Sequence, residues 1–157
     1  MSDWIEAGQR APAFTLSADD GGKVRLADLA GQPVVLYFYP RDDTPGCTRE
    51  ACAFRDQQAK LKKLGAVVLG VSGDSIASHG KFRDKYRLNF PLLADVDHQV
   101  AEKYGAWREK NMYGKKSMGI QRSTFLIGPD GKVAKVWKRV NVDGHEEQVL
   151  AALRELA

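Results

Sequence analysis

The 157-residue chain is poor in the residues that hold metals and cross-link small folds, with only two cysteines and three histidines. Cys47 and Cys52 do not form a Cys-x-x-Cys pair, the motif on which thioredoxin-like disulfide oxidoreductases depend. His79, His98 and His145 are widely spaced and show no ligand spacing with one another or with the cysteines. The one local cluster, Asp95-Val96-Asp97-His98, is explained by a turn followed by a helix cap. No metal or cofactor is therefore expected. Long apolar runs are also missing. Nothing in the chain approaches the length needed to cross a bilayer, and Met1-Ser2-Asp3-Trp4-Ile5-Glu6 is acidic and lacks a secretory core. No Pro/Gly/Ser-rich linker, low-complexity tract or internal repeat divides the chain, so a single domain over residues 1–157 is expected. These absences predict a cytoplasmic protein. In a reducing compartment, two cysteines are catalytic or redox-sensing more often than structural. Charge of one sign is lacking too. The net charge is +4, but acids and bases alternate. The densest basic stretch, Arg108-Glu109-Lys110-Asn111-Met112-Tyr113-Gly114-Lys115-Lys116, is short, holds one aromatic and accompanies no recognition motif. It reads as a solvated loop, and nucleic-acid binding is not expected.

The segment Pro40-Arg41-Asp42-Asp43-Thr44-Pro45-Gly46-Cys47-Thr48-Arg49-Glu50-Ala51-Cys52 carries most of the information. A strand-like run over residues 34–39 leads straight into it. Thr44 followed by Pro45 is a helix-opening signal, with Thr44 as N-cap and Pro45 at the first helical position. Gly46 lets another group approach the backbone closely. Cys47 then falls in the first turn, where unpaired N–H groups and the positive end of the helix dipole favour an anion. That setting favours thiolate chemistry, although a free cysteine is also simply a small apolar side chain.

If residues 45–64 form one helix, Cys47, Ala51, Phe54 and Leu61 make its apolar stripe. Cys52 then lies to one side, by Arg55, Asp56 and Lys63, so burial in the core explains it poorly. Residues five apart in a helix have Cα atoms roughly 8.6 Å apart and point about 140° away from each other. A disulfide needs a Cα separation of about 4.4–6.8 Å. Cys47 and Cys52 therefore cannot bond while the helix is intact. A resolving role for Cys52 requires the first turn or two to unwind once Cys47 is oxidised.

Pro40-x-x-x-Thr44-x-x-Cys47 resembles the active-site signature of the peroxiredoxins, thiol peroxidases without metal or haem. The Cys47-x-x-x-x-Cys52 spacing is similar to the bacterioferritin-comigratory, or Q-type, subgroup. Gly31 to Pro40, Phe90 to Asp95, Gly119 to Ile127 and Pro129-Asp130-Gly131 match as well, so the resemblance runs from about residue 8 to the end. It implies that Cys47 is the peroxidatic nucleophile and passes through a sulfenic acid. Thr44 would hydrogen-bond the peroxide, Pro40 would shield the thiolate from water, and Arg122 would stabilise the thiolate and the leaving oxygen. Glu50 would orient the arginine. Cys52 would resolve the sulfenic acid to a disulfide that thioredoxin or glutaredoxin reduces. Such an intrachain bridge needs no partner subunit, which points to a monomer. Splitting an O–O bond needs these parts: a thiolate, donors on the oxygen gaining charge, and a dry pocket that strengthens both. Two rivals are a thioredoxin-like thiol-disulfide oxidoreductase, which lacks its dithiol motif here, and a non-redox metal-binding protein.

The coarse pattern alternates strands and helices. A hairpin near Phe14 to Leu16 and Val24 to Leu26 precedes the strand at 34–39 and the active-site helix. An apolar strand at 66–72, central in a sheet, comes next. A helix at 76–87, a strand at 90–94 and a short helix at 97–104 follow. A hairpin of 123–128 with 132–139 leads to a last helix, which opens on an Asp143/Glu146 capping box and runs to Leu156. This order fits an α/β sandwich with a mixed sheet flanked by helices and an N-terminal β-hairpin extension. The resemblance gives it the name thioredoxin-like.

Overall fold

The computed structural model describes residues 3–156. Nine strands and five α-helices follow one another as β1 (Thr15–Ala18), β2 (Lys23–Arg25), β3 (Val34–Phe38), α1 (Pro45–Asp56), α2 (Gln58–Lys63), β4 (Val67–Ser72), α3 (Ile76–Tyr86), β5 (Leu92–Ala94), α4 (Gln99–Tyr104), β6 (Trp107–Met112), β7 (Lys115–Ile120), β8 (Ser123–Ile127), β9 (Val133–Trp137) and α5 (His145–Leu156). Seven strands form one sheet in the order β2-β1-β5-β4-β3-β8-β9. The β3–β4 and β4–β5 pairs are parallel, and the remaining pairs in that sheet are antiparallel. The N-terminal hairpin extends the sheet at one edge, and β4 is central, as its unbroken apolar run implies.

Every residue of β3 is buried because both faces of the sheet are covered, so this strand reads as a continuous apolar run. Its side chains still alternate. Val35 and Tyr37 join the core with α1, α2, α3 and α5 through Ala51, Phe54, Leu61, Phe82, Val149 and Leu150. Leu36 and Phe38 join the opposite core with Val100, Ala101, Tyr104 and Phe125. Cys47 sits in the first of these cores, so helix α1 is placed by the same packing that closes the sheet.

Three local expectations are corrected. The helix expected over 45–64 is broken at Gln57 (φ −99°, ψ 7°) into α1 and α2. At that point the side chain of Asn89 donates to the Arg55 carbonyl (3.2 Å), and Gln58 donates to the Asn89 carbonyl (3.0 Å). Bonds to a distant segment thus replace part of the helical ladder. The basic stretch expected as a loop is instead the antiparallel hairpin β6–β7. Tyr113 (φ 54°) and Gly114 (φ 80°) turn it, the paired positive φ that a two-residue hairpin requires. Its strands are largely exposed, so no apolar alternation marked them. Helix α5 begins at His145 rather than on a capping box. Asp143 turns its carboxylate to Arg49 (2.9 Å), and its own N–H bonds Asn141 (3.2 Å).

Candidate active site

The chain leaves β3 through Tyr39 and Pro40, crosses a short loop, and enters α1 at Thr44 with Pro45 as its first helical residue. Thr44 is extended (φ −96°, ψ 156°), but its hydroxyl does not cap the helix. It donates back to the Arg41 carbonyl at 2.9 Å. The expected side-chain cap is therefore absent, and Thr44 serves to shape the loop. Pro40 stands exposed at the start of that loop.

Cys47 lies in the first turn and is 2% exposed. Arg122, in the link between β7 and β8, donates from Nη2 to its Sγ at 3.3 Å and from Nη1 to Glu50 Oε1 at 2.8 Å. One guanidinium thus forks between the thiol and the carboxylate, which a point charge such as lysine cannot do. Gly46 makes room for it, since a Cβ there would lie 3.1 Å from Nη2. The backbone of Arg122 is held as well, its carbonyl accepting from Val140 N–H (3.2 Å) and from the Gln121 amide (3.3 Å).

Glu50 faces inward from the next turn of α1. Burial pushes its carboxyl up from 4.5 to about 7, with the Arg122 charge and hydrogen bond pulling the other way. Its Oε2 is buried without a hydrogen-bond partner. Burial works against the charge on Arg122 too, but Glu50 and Cys47 more than offset it and hold the guanidinium above its ordinary value. Cys52 lies further along α1, half-buried, and both thiols are free. An intact helix separates them.

A buried thiol, a fixed cation on its sulfur and a helix N-terminus come together here. The sequence pattern of one family matches residues 7–136. The chain belongs to the AhpC/TSA family. It is 54% identical over 149 residues to the putative peroxiredoxin bcp of Coxiella burnetii, a match covering 95% of this chain and 99% of that one. The solved structure of a Xylella fastidiosa PrxQ superposes with a TM-score of 0.92 at 36% identity, covering 99% of this chain and 98% of that one. A structure of the Xanthomonas campestris bacterioferritin comigratory protein, from a study of its alkyl peroxide reduction, superposes with a TM-score of 0.90 at 43% identity over 96% and 98% of the two chains. The protein is thus a peroxiredoxin of the Bcp or Q-type branch, a thiol peroxidase on a thioredoxin-like α/β fold.

Several residues of this peroxiredoxin site carry no sequence signal. Lys110, on the β6–β7 hairpin, feels both Cys47 and Arg122; burial chiefly, and then the arginine, hold its ammonium below the ordinary value. The Tyr37 hydroxyl is fully buried among Glu50, Cys47 and Asp42, and burial pushes it well above the ordinary range. Of the aromatics near this end of the sheet, Phe38 and Tyr39 are core, Trp107 stacks on His98 at 3.8 Å, and Tyr113 is fully exposed at the hairpin tip. Asp95 accepts the N–H groups of Val100 (3.2 Å) and Ala101 (2.8 Å), as expected of a turn-and-cap acid. Among the described residues, the group whose geometry could suit a metal is Asp42, Asp74 and His79, which come from three separate segments.

Proposed function

We propose that this peroxiredoxin reduces hydrogen peroxide and alkyl hydroperoxides as a single-domain, monomeric, cytoplasmic enzyme of the two-cysteine kind. The observation that carries the reading is the Arg122 Nη2 contact on Cys47 Sγ, with Glu50 fixing the other arm of the same guanidinium. The Cys47 thiolate attacks the terminal peroxide oxygen and forms an S–O bond. The O–O bond breaks, and the departing alkoxide or hydroxide takes up a proton to leave as alcohol or water. Arg122 stabilises the charge on both sulfur and leaving oxygen, and Thr44 holds the peroxide by its hydroxyl, which has one donor and two acceptor sites. Pro40 limits the approach of water to the thiolate. The alkyl substrate class is supported by the activity studied in the Xanthomonas relative.

Resolution follows. The Cys52 thiol attacks the Cys47 sulfenic acid, an S–S bond forms and water leaves. Because α1 holds the two cysteines on different faces, its first turns unwind before they can meet. An external dithiol, thioredoxin or glutaredoxin, then reduces the disulfide by exchange and is itself oxidised. An intrachain bridge of this kind asks nothing of a second subunit.

The test is a free-thiol count with intact mass, taken seconds after fully reduced protein meets one equivalent of hydrogen peroxide. The expected result is loss of both thiols, a mass lower by two hydrogens and no covalent dimer. Survival of both thiols for minutes would refute the reading. Cys52→Ser should retain the first peroxide reaction but stall multiple turnover with thioredoxin and over-oxidise faster at Cys47. Unchanged turnover would mean that an external thiol attacks the sulfenic acid directly.

A further inference from the structure

Beneath the loop from Pro40 to Thr44 lies a buried polar set that the peroxide chemistry above leaves unused. His79, on α3, has no exposed surface. Its Nε2 is 2.9 Å from the Leu93 carbonyl, which can only accept, so Nε2 carries a proton. Its Nδ1 is 2.7 Å from Asp42 Oδ2. The same carboxylate accepts the Tyr39 hydroxyl (2.6 Å) on one oxygen and the Ser78 hydroxyl (2.8 Å) on the other. With donors converging on both oxygens, Asp42 acts as a pure acceptor, and Nδ1 carries a proton as well. Both ring nitrogens donate, and the ring is an imidazolium.

We propose that His79, as a buried imidazolium, is a positioning residue for the peroxide reaction, fixing through Asp42 the loop that carries Thr44 and opens helix α1. The groups facing the ring come from every element around it. Tyr39 follows β3, Asp42 belongs to the loop, Asp74 follows β4, Leu93 offers its carbonyl from β5, and Ser78 is its neighbour on α3. Burial disfavours the ring's charge, while Asp42, the Leu93 carbonyl and Asp74 together outweigh it and raise its titration above the ordinary range.

The loop is gripped from the same side along its length. The Asp42 N–H donates to Asp74 Oδ2 (2.8 Å), and the Ser72 hydroxyl donates to that oxygen (2.7 Å). Asp43 then adopts φ 56°, a left-handed conformation that is unfavourable for a residue with a side chain and persists where its surroundings hold it. Here Lys85 Nζ and the Tyr86 hydroxyl, both on α3, hold its carboxylate at 2.8 Å each. Thr44 comes next. Asp42 and Asp43 are therefore anchored to α3 and to the segment that ends β4, whereas the Thr44 carbonyl accepts the Thr48 N–H of α1 (2.8 Å), so the Asp42–Asp43 part of the loop stays formed when α1 unwinds for resolution. Asp42 and His79 are already saturated by protein donors and acceptors, which explains their closeness without a metal.

This inference rests on the peroxide cycle proposed above, and the test separates the two. Single-turnover oxidation of Cys47 by hydrogen peroxide is followed by stopped flow from pH 5.5 to 9.5, beside alkylation of Cys47 by iodoacetamide, in wild type, His79→Gln and His79→Asn. Glutamine reaches Leu93 but not Asp42, whereas asparagine places a donor near the Nδ1 position. The peroxide rate constant of His79→Gln should fall about tenfold or more, since misplacement by a fraction of an ångström is costly. Alkylation should stay within about threefold, and His79→Asn should recover part of the loss. The wild-type rate should also decline at alkaline pH as His79 loses its proton, a limb missing from His79→Gln. If His79→Gln does not fold, Asp42→Asn, isosteric and uncharged, carries the same expectation. Peroxide rates within twofold of wild type, or an equal fall in alkylation, would overturn the proposal. A wild-type protein inert to peroxide would overturn the cycle with it.

Discussion

Glu50→Gln should change how the stability of the reduced protein depends on pH, because Glu50 is a carboxyl held away from water. Its titration rises from 4.5 to about 7 by burial, with Arg122 only partly compensating. Between those values the folded protein keeps a proton that the unfolded chain has released. Stability therefore falls as pH rises through that window. Below about pH 4.5 there is no cost; above about pH 7 the full cost applies, about 3 kcal/mol at roughly 1.4 kcal/mol per pH unit. Of this, about 2.5 kcal/mol develops between pH 5 and pH 8. Glutamine keeps an acceptor for Arg122 Nη1 but does not titrate. Its buried NH₂ costs the same at both pH values, so it cancels, as does the titration of His79. Urea unfolding of reduced wild type and Glu50→Gln at pH 5 and pH 8 isolates the effect. Wild type should lose about 2.5 kcal/mol more than the variant on going to pH 8, a difference of about 1 M in the relative midpoints. Parallel pH dependence in the two proteins would refute the reasoning, since Glu50 would then ionise as freely as an exposed acid.

Two glycines offer further checks. Gly46→Ala places a Cβ 3.1 Å from Arg122 Nη2, so the guanidinium must shift off Cys47; single-turnover oxidation by peroxide should slow about tenfold, with unfolding stability unchanged or slightly higher. Gly70→Ala places a Cβ 2.8 Å from the Tyr37 hydroxyl and 2.9 Å from its Cζ, a rigid ring in the core, and should cost about 1–3 kcal/mol in urea unfolding.

The readable parts of the chain were those governed by local pattern. The apolar run into β3, the unbroken β4, the Pro129-Asp130-Gly131 turn between β8 and β9 and the Thr44-Pro45 helix start all stand where expected, within a residue or two at their ends. The site signature was legible for the same reason, since Pro40, Thr44, Cys47, Glu50 and Cys52 are close in sequence. Three of the errors share one cause. Thr44 bonds Arg41 instead of capping α1, Asn89 breaks the helix beyond Asp56, and Asp143 answers Arg49 rather than its own helix. In each case a hydrogen bond that no local pattern marks took a group the pattern had assigned elsewhere. The β6–β7 hairpin escaped because it buries little, so selection for a core left no alternation in it.

By itself, the sequence determined the order of elements, the burial of the central strands and the placement of a thiol at a helix start, because propensity and hydrophobic period act over a few residues. Only the tertiary structure decided that Arg122, 75 residues away, forks between Cys47 and Glu50. It alone set the burial that lifts Glu50 to about 7 and brought His79 beneath the loop at Asp42. Charge, burial and hydrogen bonding act through space across a closed sheet, and their partners meet only once the chain has folded.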